Sequence, residues 1–118
     1  MENTEPAIDS LEGLISIRSP KEFSRLRNEP FSVILFTAAW LTNHERILTR
    51  FAAQKPRYPG IKFAVVDVDE LEIIAESEGI SSMPTYVFFR QRKEAFRFSG
   101  SSQKRLAERL SLLKNSSE

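Results

Sequence analysis

Residues Val33-Ile34-Leu35-Phe36 form a short, unbroken apolar run, and Thr37-Ala38-Ala39-Trp40-Leu41 carries it straight into Thr42-Asn43-His44-Glu45. An apolar run of this length with β-branched side chains reads as a central parallel strand buried on both faces, over about 32–37. Thr42 to Glu45 has the Ser/Thr-x-x-Glu spacing of a capping box, which predicts a helix from Thr42. A buried strand feeding directly into a capped helix places Trp40 and Leu41 at the carboxyl edge of a sheet. Open α/β sheets build their sites at that edge.

The flanking residues supply what such a sheet needs. Leu14–Ile17 is a short strand candidate. Ser19-Pro20-Lys21-Glu22 offers an N-cap, a proline at the first helical position and a glutamate three residues after the cap. A helix to about Asn28 follows, with Phe23 and Leu26 inward, and Glu29-Pro30 ends it. The helix from Thr42 buries Ile47, Leu48, Phe51 and Ala52 and stops near Lys55, before Pro56 and Pro59-Gly60. Ile61–Val68 is a second apolar strand. A short helix from Asp69 or Glu70 to Glu78 ends on Gly79. After the Met83-Pro84 loop come strands Tyr86–Phe89 and Ala95–Phe98. Their connection, Arg90-Gln91-Arg92-Lys93, lacks the Gly or Asn of a tight hairpin and predicts a longer or distorted turn. A last helix from about Ser101 puts Leu106, Leu110 and Leu113 on one face. The order βαβαβαββα predicts an α/β fold with a central mixed sheet flanked by helices. Residues 1–13 read as a disordered acidic arm, 14–114 as one domain and 115–118 as a tail.

Composition removes several functions. Among 118 residues there is no cysteine, which excludes disulfides, thiolate metal sites and thiol catalysis. The one histidine, His44, has no cluster of ligands or nucleophile context around it, so no metal, no cofactor and no catalytic role is assigned. It is expected to be an exposed, dispensable residue of the first helical turn. No apolar run approaches the ~20 residues of a membrane span, and no signal or transit pattern is evident. A cytoplasmic or nuclear location is the expectation. The acidic residues Asp67, Asp69, Glu70, Glu72, Glu76 and Glu78 read as a solvated helix start and face.

Charge is uneven. Residues 90–118 hold eight Lys/Arg against three Glu, whereas residues 1–89 hold nine against thirteen Asp/Glu. Arg90, Arg92, Lys93, Lys104, Arg105 and Arg109 could meet a nucleic acid, but without a glycine-rich loop a solvated surface is favoured.

From about Ser19 to Leu113 the chain resembles a thioredoxin. The resemblance rests on Phe36-Thr37-Ala38-Ala39-Trp40, on Lys62 through Glu70, on Met83-Pro84-Thr85-Tyr86-Val87-Phe88-Phe89 and on Phe96-Arg97-Phe98-Ser99-Gly100. It implies a cis Pro84, in a loop whose preceding backbone pairs with a bound peptide. It also implies that Leu41, Thr42, Asn43 and His44 stand where the family has its Cys-Gly-Pro-Cys. Leu35 stands where bacterial-type members hold a buried Asp, and Val65 at the position of a lysine that can neighbour it. The expected protein is redox-inactive and works by protein–protein contact through the former substrate groove, formed by Trp40, Leu41, Met83, Pro84, Ser99 and Gly100. Trp40 and Met83 are expected to be semi-exposed anchors. Three alternatives remain open. One is an adaptor similar to the thioredoxin-like domain of multidomain monothiol glutaredoxins, with a residual role in redox homeostasis or iron–sulfur handling. Another is an adaptor or structural subunit of a larger assembly, with or without RNA, docked through the basic C-terminal third. The last is a residual enzyme.

Overall fold

The computed structural model describes residues 13–115. The acidic arm expected over 1–13 lies outside the described residues apart from Gly13, as does the tail apart from Asn115. Ten elements follow one another: β1 (Leu14–Ser16), α1 (Pro20–Arg27), β2 (Phe31–Thr37), α2 (His44–Gln54), a 3₁₀ turn (Lys55–Arg57), β3 (Lys62–Asp67), α3 (Glu72–Ser77), β4 (Thr85–Arg90), β5 (Lys93–Ser99) and α4 (Gln103–Asn115). The sheet order is β1-β3-β2-β4-β5. β1, β3 and β2 are parallel, while β4 runs antiparallel to β2 and β5 antiparallel to β4.

β2 is the middle strand, and its period-2 alternation divides the core. Val33 and Leu35 join Ile47, Leu48, Phe51 of α2 and Leu106, Leu110, Leu113 of α4 on one face. Ile34 and Phe36 join Phe23 and Leu26 of α1 and Ile74 of α3 on the other. All four β2 side chains are fully buried, which is why the run carries no polar residue between Val33 and Phe36. Burial of each contributes roughly 1.5–3 kcal/mol.

α1 starts as the sequence predicts. Ser19 Oγ accepts from the Glu22 N–H at 3.2 Å, and the Glu22 carboxylate accepts in return from the Arg18 N–H. α3 begins later than expected, at Glu72, because the Glu70 and Leu71 N–H groups are bonded to Asp67 O in a turn. It ends as predicted, with Gly79 at φ +72° and the Ile80 N–H bonded back to Ala75 O.

Three other expectations are corrected. α2 starts at His44, not Thr42. The Leu41 N–H bonds Ala38 O and the His44 N–H bonds Leu41 O, so two successive turns occupy the groups that a helix from Thr42 would need. Asn43 precedes the helix without a side-chain cap. The β4–β5 hairpin is tight rather than long. Arg90 pairs with Lys93 across a two-residue turn, Gln91 (φ +50°) and Arg92 (φ +78°), both left-handed as a type I′ turn requires. Tertiary contacts hold this unfavourable geometry: Gln91 N–H bonds Pro30 O and the Arg27 guanidinium bonds Arg92 O. The irregularity falls in β5 instead, where the register passes from Phe88–Phe96 to Phe89–Glu94 and leaves Ala95 as a bulge. α4 also starts two residues late, at Gln103, with Ser102 Oγ accepting from the Arg105 N–H at 3.1 Å.

Candidate functional site

Two loops leave the sheet side by side. Phe36 near the end of β2 is paired with Thr85 at the start of β4, so the Ala38–Asn43 turns and the Met83-Pro84 loop emerge from adjacent strand ends. The turn closed by the Leu41 N–H throws the Trp40 side chain outward, where it is 63% exposed. Its indole is nevertheless held, because Nε1 donates to Asp69 Oδ2 at 2.8 Å. Asp69 is fixed in turn by its own N–H to Asp67 Oδ1 at 2.9 Å. Asp67 and Asp69 thus form a bracket for Trp40 at the end of β3. The sequence reading took both as solvated, since nothing in the pattern links residues 29 positions apart.

On the other side the Met83–Pro84 bond is cis, as the resemblance implied. Pro84 O accepts from the Gly100 N–H at 2.8 Å. Thr85 Oγ1 lies 2.7 Å from Ser82 O and 2.8 Å from Ser99 Oγ, so the Thr85 hydroxyl donates to the first and accepts from the second. These bonds lock Ser99 and Gly100 against Pro84. Pro84 is buried, Met83 and Gly100 are half-buried and Ser99 is exposed. Gly100 has φ +106° and open space where a Cβ would stand. The Met83 backbone N–H and C=O have no hydrogen-bond partner among the described residues.

The four residues that the resemblance sets at the redox positions divide by burial. Leu41 is half-buried and packs on the α2–α4 core, while Thr42 and Asn43 are exposed. His44 is half-buried rather than exposed, with Nδ1 3.4 Å from Oγ1 of the buried Thr37. The late helix start turns it inward. These four residues, with Ala39, Glu45 and Arg46, line a depression of about 520 Å³. Beneath it Leu35 and Val65 are direct neighbours across β2 and β3, both buried. Tyr86 sits opposite Leu35 on β4. Its phenol makes no hydrogen bond among the described residues, and burial pushes its pKa up to about 12.

The basic residues do not gather at one place. Arg90 pairs with Phe31, so the Arg90–Lys93 turn lies at the opposite end of the sheet from Trp40. Lys104 and Arg105 are in the first turn of α4, just after Gly100 and so at the groove end. Arg109 lies over Phe96 of β5.

A five-stranded mixed sheet with helices on both faces and a cis proline loop beside an exposed tryptophan defines a thioredoxin-fold protein, here with no thiol at the redox positions. The thioredoxin family model matches residues 15–111, and the chain belongs to that family. A rice H-type thioredoxin is 40% identical over 63 residues, 53% of this chain and 52% of the relative. The thioredoxin of the sponge Geodia cydonium is 39% identical over 61 residues, 52% of this chain and 58% of the relative. The chain therefore spans little more than half the length of these two relatives. Among solved structures, a cysteine-to-serine mutant of Entamoeba histolytica thioredoxin superposes with TM-score 0.78 at 31% identity, over 84% of this chain and 98% of that one. Fasciola hepatica thioredoxin gives 0.78 at 29% identity, over 83% and 97%.

Proposed function

We propose that this protein is an interaction module that holds an extended peptide without covalent chemistry in the groove of Trp40, Leu41, Met83, Pro84, Ser99 and Gly100. The observation that carries this reading is the Met83 backbone, whose N–H and C=O are unsatisfied among the described residues beside an indole that is exposed yet fixed. A strand-like peptide would satisfy both groups, and peptide addition of that kind takes its affinity from main-chain hydrogen bonds. Trp40 needs little ordering on binding, because Asp69 already holds its ring. Leu41 in place of a cysteine removes the nucleophile that would make the contact transient. No role in catalysis is assigned to His44.

The test is selection of binders from a library of extended peptides, followed by affinity measurement on variants. Trp40→Ala and Met83→Ala should each weaken binding by about 30-fold, the size of an interface anchor of ~2 kcal/mol. Arg92→Glu, at the far end of the sheet, should change nothing. Peptides that bind Trp40→Ala as tightly as the parent protein would move the binding surface elsewhere.

A further inference from the structure

β5 is the outermost strand, with β4 as its one strand neighbour among the described residues. The Gly100 N–H bonds inward to Pro84 O, so by the two-residue period Phe98 also points its main chain at β4. Arg97 and Ser99 then direct their N–H and C=O outward, away from the sheet. The bulge at Ala95 lies toward the hairpin tip, leaving Phe96 to Ser99 regular.

Two guanidiniums lie along this edge. The guanidinium of Arg105 lies over Phe98 and that of Arg109 over Phe96, each 5.6 Å from the ring centroid. A guanidinium held against an aromatic ring by its cation–π attraction still has N–H groups with which to meet a carboxylate. Neither cation has an ion-pair partner among the described residues, and Arg109 Nε is buried without a hydrogen bond. Glu108, on the same helix, pairs with neither. On the opposite face of β5 the situation is reversed: Arg97 is held by Glu94 at 2.7 Å and approached by Glu78 at 4.0 Å. The uncompensated positive charge is thus confined to the α4 side of the edge.

The spacing is informative. Phe96 and Phe98 are two strand residues apart, roughly 6.6–6.8 Å. Arg105 and Arg109 are four helix residues apart, roughly 6 Å. A peptide strand laid along β5 repeats its same-face side chains at that interval. We propose that this edge accepts an extended acidic peptide from a partner protein, with carboxylates at alternate positions on Arg105 and Arg109 and main-chain hydrogen bonds to Arg97 and Ser99. The surface shares Ser99 with the groove but uses none of Trp40, Leu41, Met83 and Pro84. A nucleic-acid backbone offers phosphates but not the alternating donors and acceptors at strand spacing that the outward main chain matches.

The experiment uses three labelled probes with the full chain: a short peptide alternating valine and glutamate, a peptide of the same composition with its glutamates in one block, and a short oligouridylate. The alternating peptide should bind most tightly and should protect the Arg97 and Ser99 amides from hydrogen exchange. Arg105→Gln with Arg109→Gln should weaken it about ten-fold, as loss of two charge-assisted pairs at a partly exposed site implies. Arg105→Lys with Arg109→Lys, which keeps charge and fold but not the planar fork, should lose an intermediate amount. Trp40→Ala should change nothing, so that failure here and failure of the groove reading are separable. The proposal is overturned if the alternating peptide does not bind, if the block peptide or the RNA binds as tightly, or if the two amides stay unprotected. Insensitivity to the arginine variants, or loss with Trp40→Ala, overturns it as well.

Discussion

Tyr86 carries an uncompensated polar atom in the core. Its ring is stacked on Phe98 at 5.0 Å and tilted against Phe51 at 5.6 Å, so the apolar part of the side chain is fully used. The hydroxyl has no hydrogen-bond partner among the described residues. A buried polar group left unsatisfied costs about 1–3 kcal/mol, and phenylalanine would keep both ring contacts. Tyr86→Phe should therefore raise the unfolding free energy by about 1 kcal/mol in urea titration. The same burial makes stability depend on alkaline pH. The folded-state pKa of about 12 exceeds the ordinary 10.0, so the fold favours the neutral phenol. Its contribution is complete below about pH 10 and is lost as pH rises towards 12, to the extent of about 2–3 kcal/mol. Tyrosinate absorbance should show one phenol ionising late, near pH 12, and Tyr86→Phe should remove that step. Tyr86→Phe should flatten the stability profile in that range.

At the scale of elements, the β4–β5 turn holds avoidable strain. Gln91 and Arg92 both occupy the left-handed region, which costs an L-residue with a Cβ roughly 1–2 kcal/mol. The contacts that secure the turn use main-chain atoms of these residues, so they survive substitution. Gln91→Asn with Arg92→Gly should stabilise the protein by about 1–2 kcal/mol, read as a shift in the urea midpoint at constant slope. This turn also marks where sequence reading stops. Period and apolar runs are local signals, and they placed β2, β3, β4, the buried faces of α1, α2 and α4, and Gly79 as a helix stop. The turn is fixed by Arg27 and Pro30, more than 60 positions away, so its own residues predict the wrong geometry. Trp40 was legible as an edge residue, but its bond to Asp69 was not. The α2 start was misread because a capping-box pattern says nothing of the two turns that precede it. The arginines over the β5 rings were seen only as charge, since the pairing of Arg105 with Phe98 depends on how α4 crosses the sheet.

At the scale of the whole molecule, the fold of a thioredoxin is kept while the chemistry that usually justifies its edge is missing. Thiol–disulfide exchange needs a thiolate, and this chain has none. The parent protein should show no insulin reduction above the reagent blank. The His44 N–H bonds Leu41 O at 3.1 Å, which closes a four-residue turn and brings the two Cα atoms within about 7 Å. A disulfide spans roughly 4.4–6.8 Å between Cα atoms, so Leu41→Cys with His44→Cys should close one on oxidation, seen as loss of both titratable thiols. Reduced by dithiothreitol, that variant should accelerate insulin reduction, though weakly. Leu35 and Val65 beneath the loop offer no carboxylate to accept a proton when the mixed disulfide resolves. Adding Leu35→Asp to supply one should destabilise the fold by several kcal/mol, because a charge would enter a site between Val65 and Tyr86 with no partner. A double-cysteine variant that stays reduced would mean the loop has departed from redox geometry. Brisk turnover without Leu35→Asp would mean the buried carboxylate is dispensable on this scaffold.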